Sequence, residues 1–319
     1  MKKLYWIFPC YNEEECLPFT SKSILEHFKK LVGDKKIDEQ SKIVLVDDGS
    51  KDNTWNIISN LAKENSSIIG LKLSRNKGHQ YAIEAGLRFS YEQGADLTIT
   101  MDVDLQDDIN VISEMIDKNF EGYEIVYGVR NNRKSDSFFK RSTAKSYYRF
   151  LKRQGVEIVE NAADFRLISR VALKALLDYH EANLFFRGLV PQVGYKSAKV
   201  EYRRLEREKG KTHFPLSKMV SLAIDGMTSF SDRPLYFLGK FGLFVSSLSL
   251  ISALTFMVLH LCKVLDFSMW YYVFPSIAFN TGLILMGLGI LGIYLGKINI
   301  ETKHRPHYFI EETTLDDNA

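Results

Sequence analysis

Asp102, Asp104, Gln106, Asp107 and Asp108 fall within seven residues, directly after the β-branched run Thr98-Ile99-Thr100. If that run is a strand, Asp102 and Asp104 share one face, because side chains alternate with period two. Carboxylates held that close repel one another, and burial raises their pKa values unless a cation neutralises them. Oxygen-only ligands at a strand end suit Mg²⁺ or Mn²⁺, above all a cation that already carries phosphates. An acidic turn after a strand competes with this account, and an isolated Asp-x-Asp does not decide between them.

The elements that would position these groups follow from the surrounding pattern. Apolar runs over 4–8, 42–46, 68–73, 97–101 and 124–128 read as strands. Helical patterns lie between them, over 19–31, after Asp52 (with Trp55, Ile58, Leu61 and Ala62 as the apolar face), over 79–91 and over 109–120. Strands alternating with helices at this spacing predict an α/β domain with a mostly parallel sheet. In such sheets ligands bind at the carboxyl ends of the strands. Asn12-Glu13, Asp47-Asp48, Arg75-Asn76 and Asp102–Asp104 each follow a strand and are therefore expected in one cleft. Turn chemistry uses the same residue types and accounts equally well for Asp52 and Asn53.

The overall composition, 25% charged and 45% hydrophobic, hides a segregated chain. Residues 241–262 run 22 positions without a formal charge, and 267–296 another 30. Two transmembrane helices, over about 241–262 and 271–296, are expected. Lys240 before the first and Lys297, Lys303 and Arg305 after the second put both termini in the cytoplasm by the positive-inside rule. The organisation expected is a cytoplasmic domain over 1–234, a membrane domain over 235–300 and a cytoplasmic tail over 301–319. The start shows no signal-peptide pattern. Cys10, Cys16 and Cys262 have neither metal spacing nor an obvious pairing, which agrees with a reducing compartment. A net charge of +3 is too small to imply nucleic acid.

Pro9-Cys10-Tyr11-Asn12-Glu13, the run from Val46 to Thr54 and the run from Met101 to Asp107 resemble family 2 glycosyltransferases of the GT-A (Rossmann-like) fold. The run from Leu73 to Gln80, Ala85-Gly86-Leu87, Tyr127 to Arg130, Asp164-Phe165-Arg166-Leu167, Arg187-Gly188 and Arg305-Pro306 narrow this. Together with the two spans they are similar to bacterial polyprenyl-phosphate glycosyltransferases, bactoprenol glucosyltransferases and, more distantly, dolichol-phosphate mannose synthases. Asp108, where relatives often have proline, and the polar Lys77 depart from that pattern.

The resemblance implies a nucleotide-sugar donor, UDP-glucose favoured over UDP-N-acetylglucosamine or GDP-mannose. It implies Mg²⁺ or Mn²⁺ held by Asp104, with Asp102 and Gln106 beside it. Pro9, Tyr11, Asn12, Glu13, Asp47, Asp48, Lys77 and Asp102 would bind the donor. Asp164 would act as catalytic base, or orient Arg166 or the sugar. The acceptor would be undecaprenyl or another polyprenyl phosphate, and the outcome inversion at the sugar carbon, supplying cell-envelope glycosylation. A homotetramer, a lipid-sugar flippase and a downstream glycosyltransferase would be the protein partners. Arg130, Arg141 and Arg207, from two basic stretches, are the candidates for the acceptor phosphate. Basic amphipathic helices over about 135–153 and 215–232 could equally lie in a membrane interface or pack on a core. A processive polysaccharide synthase and a non-catalytic nucleotide-sugar sensor are the competing functions.

Overall fold

The computed structural model describes residues 1–131, 159–181, 184–203, 233–262 and 270–315. The chain divides into two compact units, Met1–Met219 with Pro306–Ala319, and Val220–Arg305. Both expected basic helices, with Arg141 and Arg207, fall outside the described residues.

The first unit is built on eight strands: β1 (Leu4–Cys10), β2 (Lys42–Asp47), β3 (Ile68–Leu73), β4 (Leu97–Thr100), β5 (Ile125–Arg130), β6 (Ala162–Ser169), β7 (Ser197–Tyr202) and β8 (Ile310–Thr313). Their order in the sheet is β7-β5-β6-β4-β1-β2-β3-β8. Helices α1 (Leu17–Gly33), α2 (Thr54–Glu64), α3 (His79–Glu92), α4 (Ile112–Phe120), α5 (Arg170–Leu177) and α6 (Phe186–Gln192) connect them. Every residue of β1 is buried. Trp6 and Phe8 join a core cluster with Leu17, Ile24, Phe28 and Met115 from α1 and α4. On the other face Ile7 meets α3 so closely that a Cβ on Gly86 would collide with the Ile7 Cγ2. A strand covered on both faces reads as a continuous apolar run, which is why this part of the sheet is plain in the sequence.

The expectation of a mostly parallel sheet needs correcting. β1–β2, β1–β4, β2–β3 and β5–β7 are parallel, whereas β4–β6, β5–β6 and β3–β8 are antiparallel. The sheet is mixed because β6 enters between β4 and β5 running against both. β6 escaped the sequence reading because Asp164 and Arg166 interrupt its apolar run. β8 escaped because it is four residues long and carries two glutamates. The segment expected as a tail thus closes the β3 edge. Thr314 Oγ1 accepts from the Gly70 N–H at 2.9 Å, and Glu312 accepts from Trp55 Nε1 at 2.7 Å. His307 Nδ1 lies 2.7 Å from the buried Glu84 of α3.

Chain order turns back across β1: β2 and β3 lie on one side of it and β4 on the other. That reversal opens a crevice at the carboxyl ends of β1 and β4. Pairing between them stops at Ile7↔Thr100, just before Pro9, which has no N–H to extend a ladder.

The second unit contains α7 (Arg233–Leu261) and α8 (Trp270–Glu301), of 29 and 32 residues. At 1.5 Å per residue each is about 45 Å long, more than the ~30 Å of a hydrocarbon core. Leu243, Phe244, Leu248, Ile251, Ile284, Leu285 and Leu288 are all more than half exposed. A buried hairpin in a water-soluble core would cover these side chains; this pair leaves them outward.

Gly49 gives a test of the sheet-end geometry. Its φ is +65°, and a Cβ there would lie 2.5 Å from the Arg75 carbonyl carbon and the Asn76 nitrogen. The loops after β2 and β3 therefore touch backbone to backbone, as only glycine permits. Gly49→Ala is expected to destabilise the protein by about 1–3 kcal/mol in a denaturant melt; an unchanged midpoint would refute the close approach.

Candidate active site

Hydrogen bonds stitch the loops around the crevice into one frame. Ser50 Oγ accepts from the Asn12 N–H at 3.0 Å, and Asn12 Oδ1 accepts from the Lys51 N–H at 2.9 Å. Thr54 Oγ1 accepts from the Glu13 N–H at 2.8 Å. Asn12 holds φ +54°, a conformation that asparagine tolerates better than most residues. The ends of β1 and β2 are thereby fixed to each other. Tyr11 is exposed beside them and Pro9 is buried.

The two aspartates after β2 divide the work. Asp47 Oδ1 accepts from the Ser50 N–H and hydroxyl, while its Oδ2 is buried with no hydrogen-bond partner. Asp48 takes both oxygens to backbone N–H groups, Lys77 at 2.7 Å and Gly78 at 2.8 Å. Burial pushes both carboxyls up, and these hydrogen bonds pull against it. Asp48 thus anchors the loop that starts α3, where Gly78 (φ +103°) is followed by His79.

His79 Nε2 stands 3.6 Å from a carboxylate oxygen of Asp102 and 3.6 Å from one of Asp164. Burial disfavours its charged form, but the carboxylates of Asp164 and Asp102 beside it outweigh this and raise its pKa. The Asp102 carboxyl is pushed up by burial; His79 opposes this, while Asp164, Asp107 and Asp104 add to it. Asp104 accepts from the Gln106 N–H at 3.3 Å, and Leu105 between them holds φ +50°. Strained backbone of this kind is characteristic of sites whose surroundings over-determine them.

Among the described residues no group of three or more His, Cys, Asp or Glu is arranged to hold a metal ion. Asp102, Asp104 and Gln106 still fit a hard divalent cation. Mg²⁺ and Mn²⁺ sites of this type take one or two carboxylates and fill the remaining positions with substrate phosphates and water. Repulsion at Asp102 is what such a charge would relieve.

Two further carboxylates are compensated by the protein. Asp107, 2% exposed, accepts from Arg130 Nη2 at 2.8 Å, Arg130 Nε at 3.0 Å and the Tyr202 hydroxyl at 2.6 Å. The guanidinium of Arg130, expected at the acceptor, is therefore engaged by the acidic loop. Asp164 Oδ1 accepts from Arg166 Nη2, and its Oδ2 from Arg187 Nη2 at 3.0 Å. Burial by itself would raise the Asp164 carboxyl. Arg187, His79 and Arg166 overcome that and hold it well below the usual carboxylate range.

The structure thus brings together Asn12, Glu13, Asp47, Asp48, Lys77, Asp102, Asp104, Gln106, Asp107, Arg130 and Asp164. His79, Arg166, Arg187 and Tyr202 complete the arrangement, although the sequence did not single them out as site residues. Three of the four did lie in quoted runs: His79 after Gly78, Arg166 two places from Asp164, and Arg187 before Gly188. Nothing local marks Tyr202, which reaches the loop from β7.

Glycosyl transferase family 2 matches residues 5–177. The Bacillus subtilis (strain 168) protein "Uncharacterized glycosyltransferase YkoT" is 46% identical over 305 residues, covering 96% of this chain and 90% of that protein. The "Bactoprenol glucosyl transferase" of Shigella phage SfV is 37% identical over 310 residues, covering 97% and 98%.

Removing one partner of a buried ion pair leaves the other charge uncompensated. Arg166→Met is therefore expected to cost about 3 kcal/mol in a urea melt, although Arg187 and His79 still face Asp164. Because the folded Asp164 pKa is depressed, its contribution is present above the unfolded value of about 4 and is lost as pH falls through the folded value. The stability gap between wild type and Asp164→Asn should then shrink below about pH 4; a gap that widens there would refute the ion-paired carboxylate.

Proposed function

The chain belongs to glycosyl transferase family 2, and we propose that it transfers one sugar from a nucleotide sugar to a polyprenyl phosphate at a membrane surface. The observation that carries this reading is the pairing, in one chain, of a crevice lined by acidic strand ends with two long helices whose apolar side chains face outward. The relative named as a bactoprenol glucosyl transferase, aligned along nearly its whole length, supports the acceptor class and favours glucose.

Donor recognition falls to the β1 and β2 side. The buried, unpartnered Asp47 Oδ2 suits an N–H donor such as the imide of uracil, which favours a UDP-linked sugar. Asn12 and Glu13 shape that side, and Asp48 holds the Lys77–Gly78 loop against it. The diphosphate would lie at the end of β4, with Asp102, Asp104 and Gln106 holding Mg²⁺ or Mn²⁺. When bound, that cation would neutralise the charge building on the departing diphosphate.

The acceptor supplies its own nucleophile. A phosphate monoester has a second pKa near 6 and is largely dianionic at neutral pH. Direct attack by one nucleophile inverts the sugar carbon, so an α-linked donor yields a β-linked lipid phosphate. Arg130, Arg141 and Arg207 remain candidates on the acceptor side.

The residues from Pro306 onward belong to the same unit as the N-terminal domain. The chain that leaves that unit before α7 therefore returns to it after α8, which supports an even number of crossings and both termini on one side. Lys240, Lys297, Lys303 and Arg305 favour the cytoplasmic side.

Purified full-length protein, undecaprenyl phosphate, a panel of nucleotide sugars and Mg²⁺ or Mn²⁺ are expected to give a singly glycosylated lipid phosphate, UDP-glucose being the best donor. Mass spectrometry and NMR should show an inverted anomeric centre; retention would sink the direct-displacement mechanism. Asp104→Ala should lower turnover by roughly 10²–10³-fold, while the melting curve stays close to wild type. Normal transfer by that variant would remove Asp104 from the chemistry.

A further inference from the structure

Strand order gives the crevice a direction. Asp47 and Asp48 follow β2, Asp102 and Asp104 follow β4, and Asp164 stands on β6, beyond β4 as seen from β2. A single displacement needs its nucleophile opposite the leaving group. With the nucleotide over β1 and β2 and the diphosphate at the end of β4, the incoming oxygen arrives from the β6 side. A dianionic phosphate arriving there must be met by positive charge.

The described groups on that side provide it. Arg187, at the start of α6, reaches Asp164 with Nη2 at 3.0 Å and Nε at 3.4 Å, while its own side chain remains 41% exposed. Arg166 is 2% exposed and gives Nη2 to the same carboxylate. Its Nε and Nη1 are buried without a hydrogen-bond partner, so Asp164 is the principal compensation for that charge. His79 adds a contact at 3.6 Å to Asp164 Oδ2.

That geometry is poor for a general base. A base needs a lone pair open toward the proton that it takes, and each Asp164 oxygen already faces cationic groups. It is good geometry for aiming a guanidinium. One edge of Arg187 is fixed by a buried carboxylate, while its side chain stays 41% exposed, and a guanidinium is the group whose planar shape matches phosphate oxygens.

We propose, building on the lipid-phosphate reading above, that Arg187 receives the acceptor phosphate and that Asp164 and Arg166 are positioning residues that hold it in place. In the step itself, an acceptor phosphate oxygen forms a bond to the sugar C1. The bond from C1 to the β-phosphate oxygen breaks, and its electron pair leaves with the nucleoside diphosphate. The acceptor loses one negative charge and the leaving group gains one, so no proton has to move.

Steady-state kinetics on the full-length protein, with UDP-glucose and undecaprenyl phosphate as probes, test the assignment. Arg187→Ala should raise the KM for the lipid phosphate about 10–100-fold and leave the donor KM within about twofold. Arg187→Lys, which keeps the charge but not the fork, should fall between. Asp164→Asn should also raise the acceptor KM, with a deficit that stays constant from pH 6 to pH 8.5. A missing base would instead be relieved as the acceptor becomes fully dianionic. An unchanged acceptor KM in Arg187→Ala, an effect confined to the donor KM, or recovery of Asp164→Asn at high pH would each overturn the assignment while leaving the overall reaction intact. A wild type that glycosylates no lipid phosphate would overturn both.

Discussion

Crowding of negative charge at the strand ends is the constraint on which the rest of this domain depends. Asp47, Asp48, Asp102, Asp104, Asp107 and Asp164 all surround one crevice, and Asp47, Asp48, Asp107 and Asp164 are buried. In a low-dielectric interior each needs a partner or gives up its charge. Asp48 uses two backbone N–H groups, Asp107 uses Arg130 and Tyr202, and Asp164 uses two arginines and a histidine. At Asp102 burial and three neighbouring carboxylates outweigh the help from His79. The imbalance is concentrated where the donor's phosphates and a divalent cation are expected.

Each compensating group also fixes geometry. Asp48 ties the loop after β3 to the end of β2, and that loop brings His79 to the carboxylates of Asp102 and Asp164. Arg130 and Tyr202 bring β5 and β7 to the acidic loop after β4. The antiparallel β6 places Asp164 beside Thr100, whose hydroxyl donates to the Asp164 carbonyl at 2.6 Å. A mixed sheet is therefore more than a departure from regularity. Running β6 against β4 brings the start of one strand to the end of the other, so the charged residues of both meet at the same rim.

The first five strands and four helices were legible because burial on both faces writes near-continuous apolar runs into β1 to β5. The acidic strand ends were legible because carboxylates directly after such runs are hard to explain otherwise. The cationic half was not. Arg166 and Asp164 sit inside a strand whose apolar pattern they break, and Arg187 meets them only through the fold. Local pattern shows where a chain turns polar; it does not show which distant charge will answer. Arg130 illustrates the converse. Its type and the family resemblance point to a phosphate, and nothing in its local sequence points to Asp107, which its guanidinium also meets.

The eighth strand has a consequence for how the protein is made. Gly70 and its partner Thr314 are 244 positions apart in sequence, and both long apolar helices are synthesised between them. At translation rates of about 5–20 residues per second, the β3 edge waits roughly 10–50 s for its neighbour. An open edge strand is a template for unwanted pairing during that interval. The β3 edge is covered by residues that leave the ribosome after both long apolar helices, so completion of the sheet follows synthesis of the whole apolar hairpin.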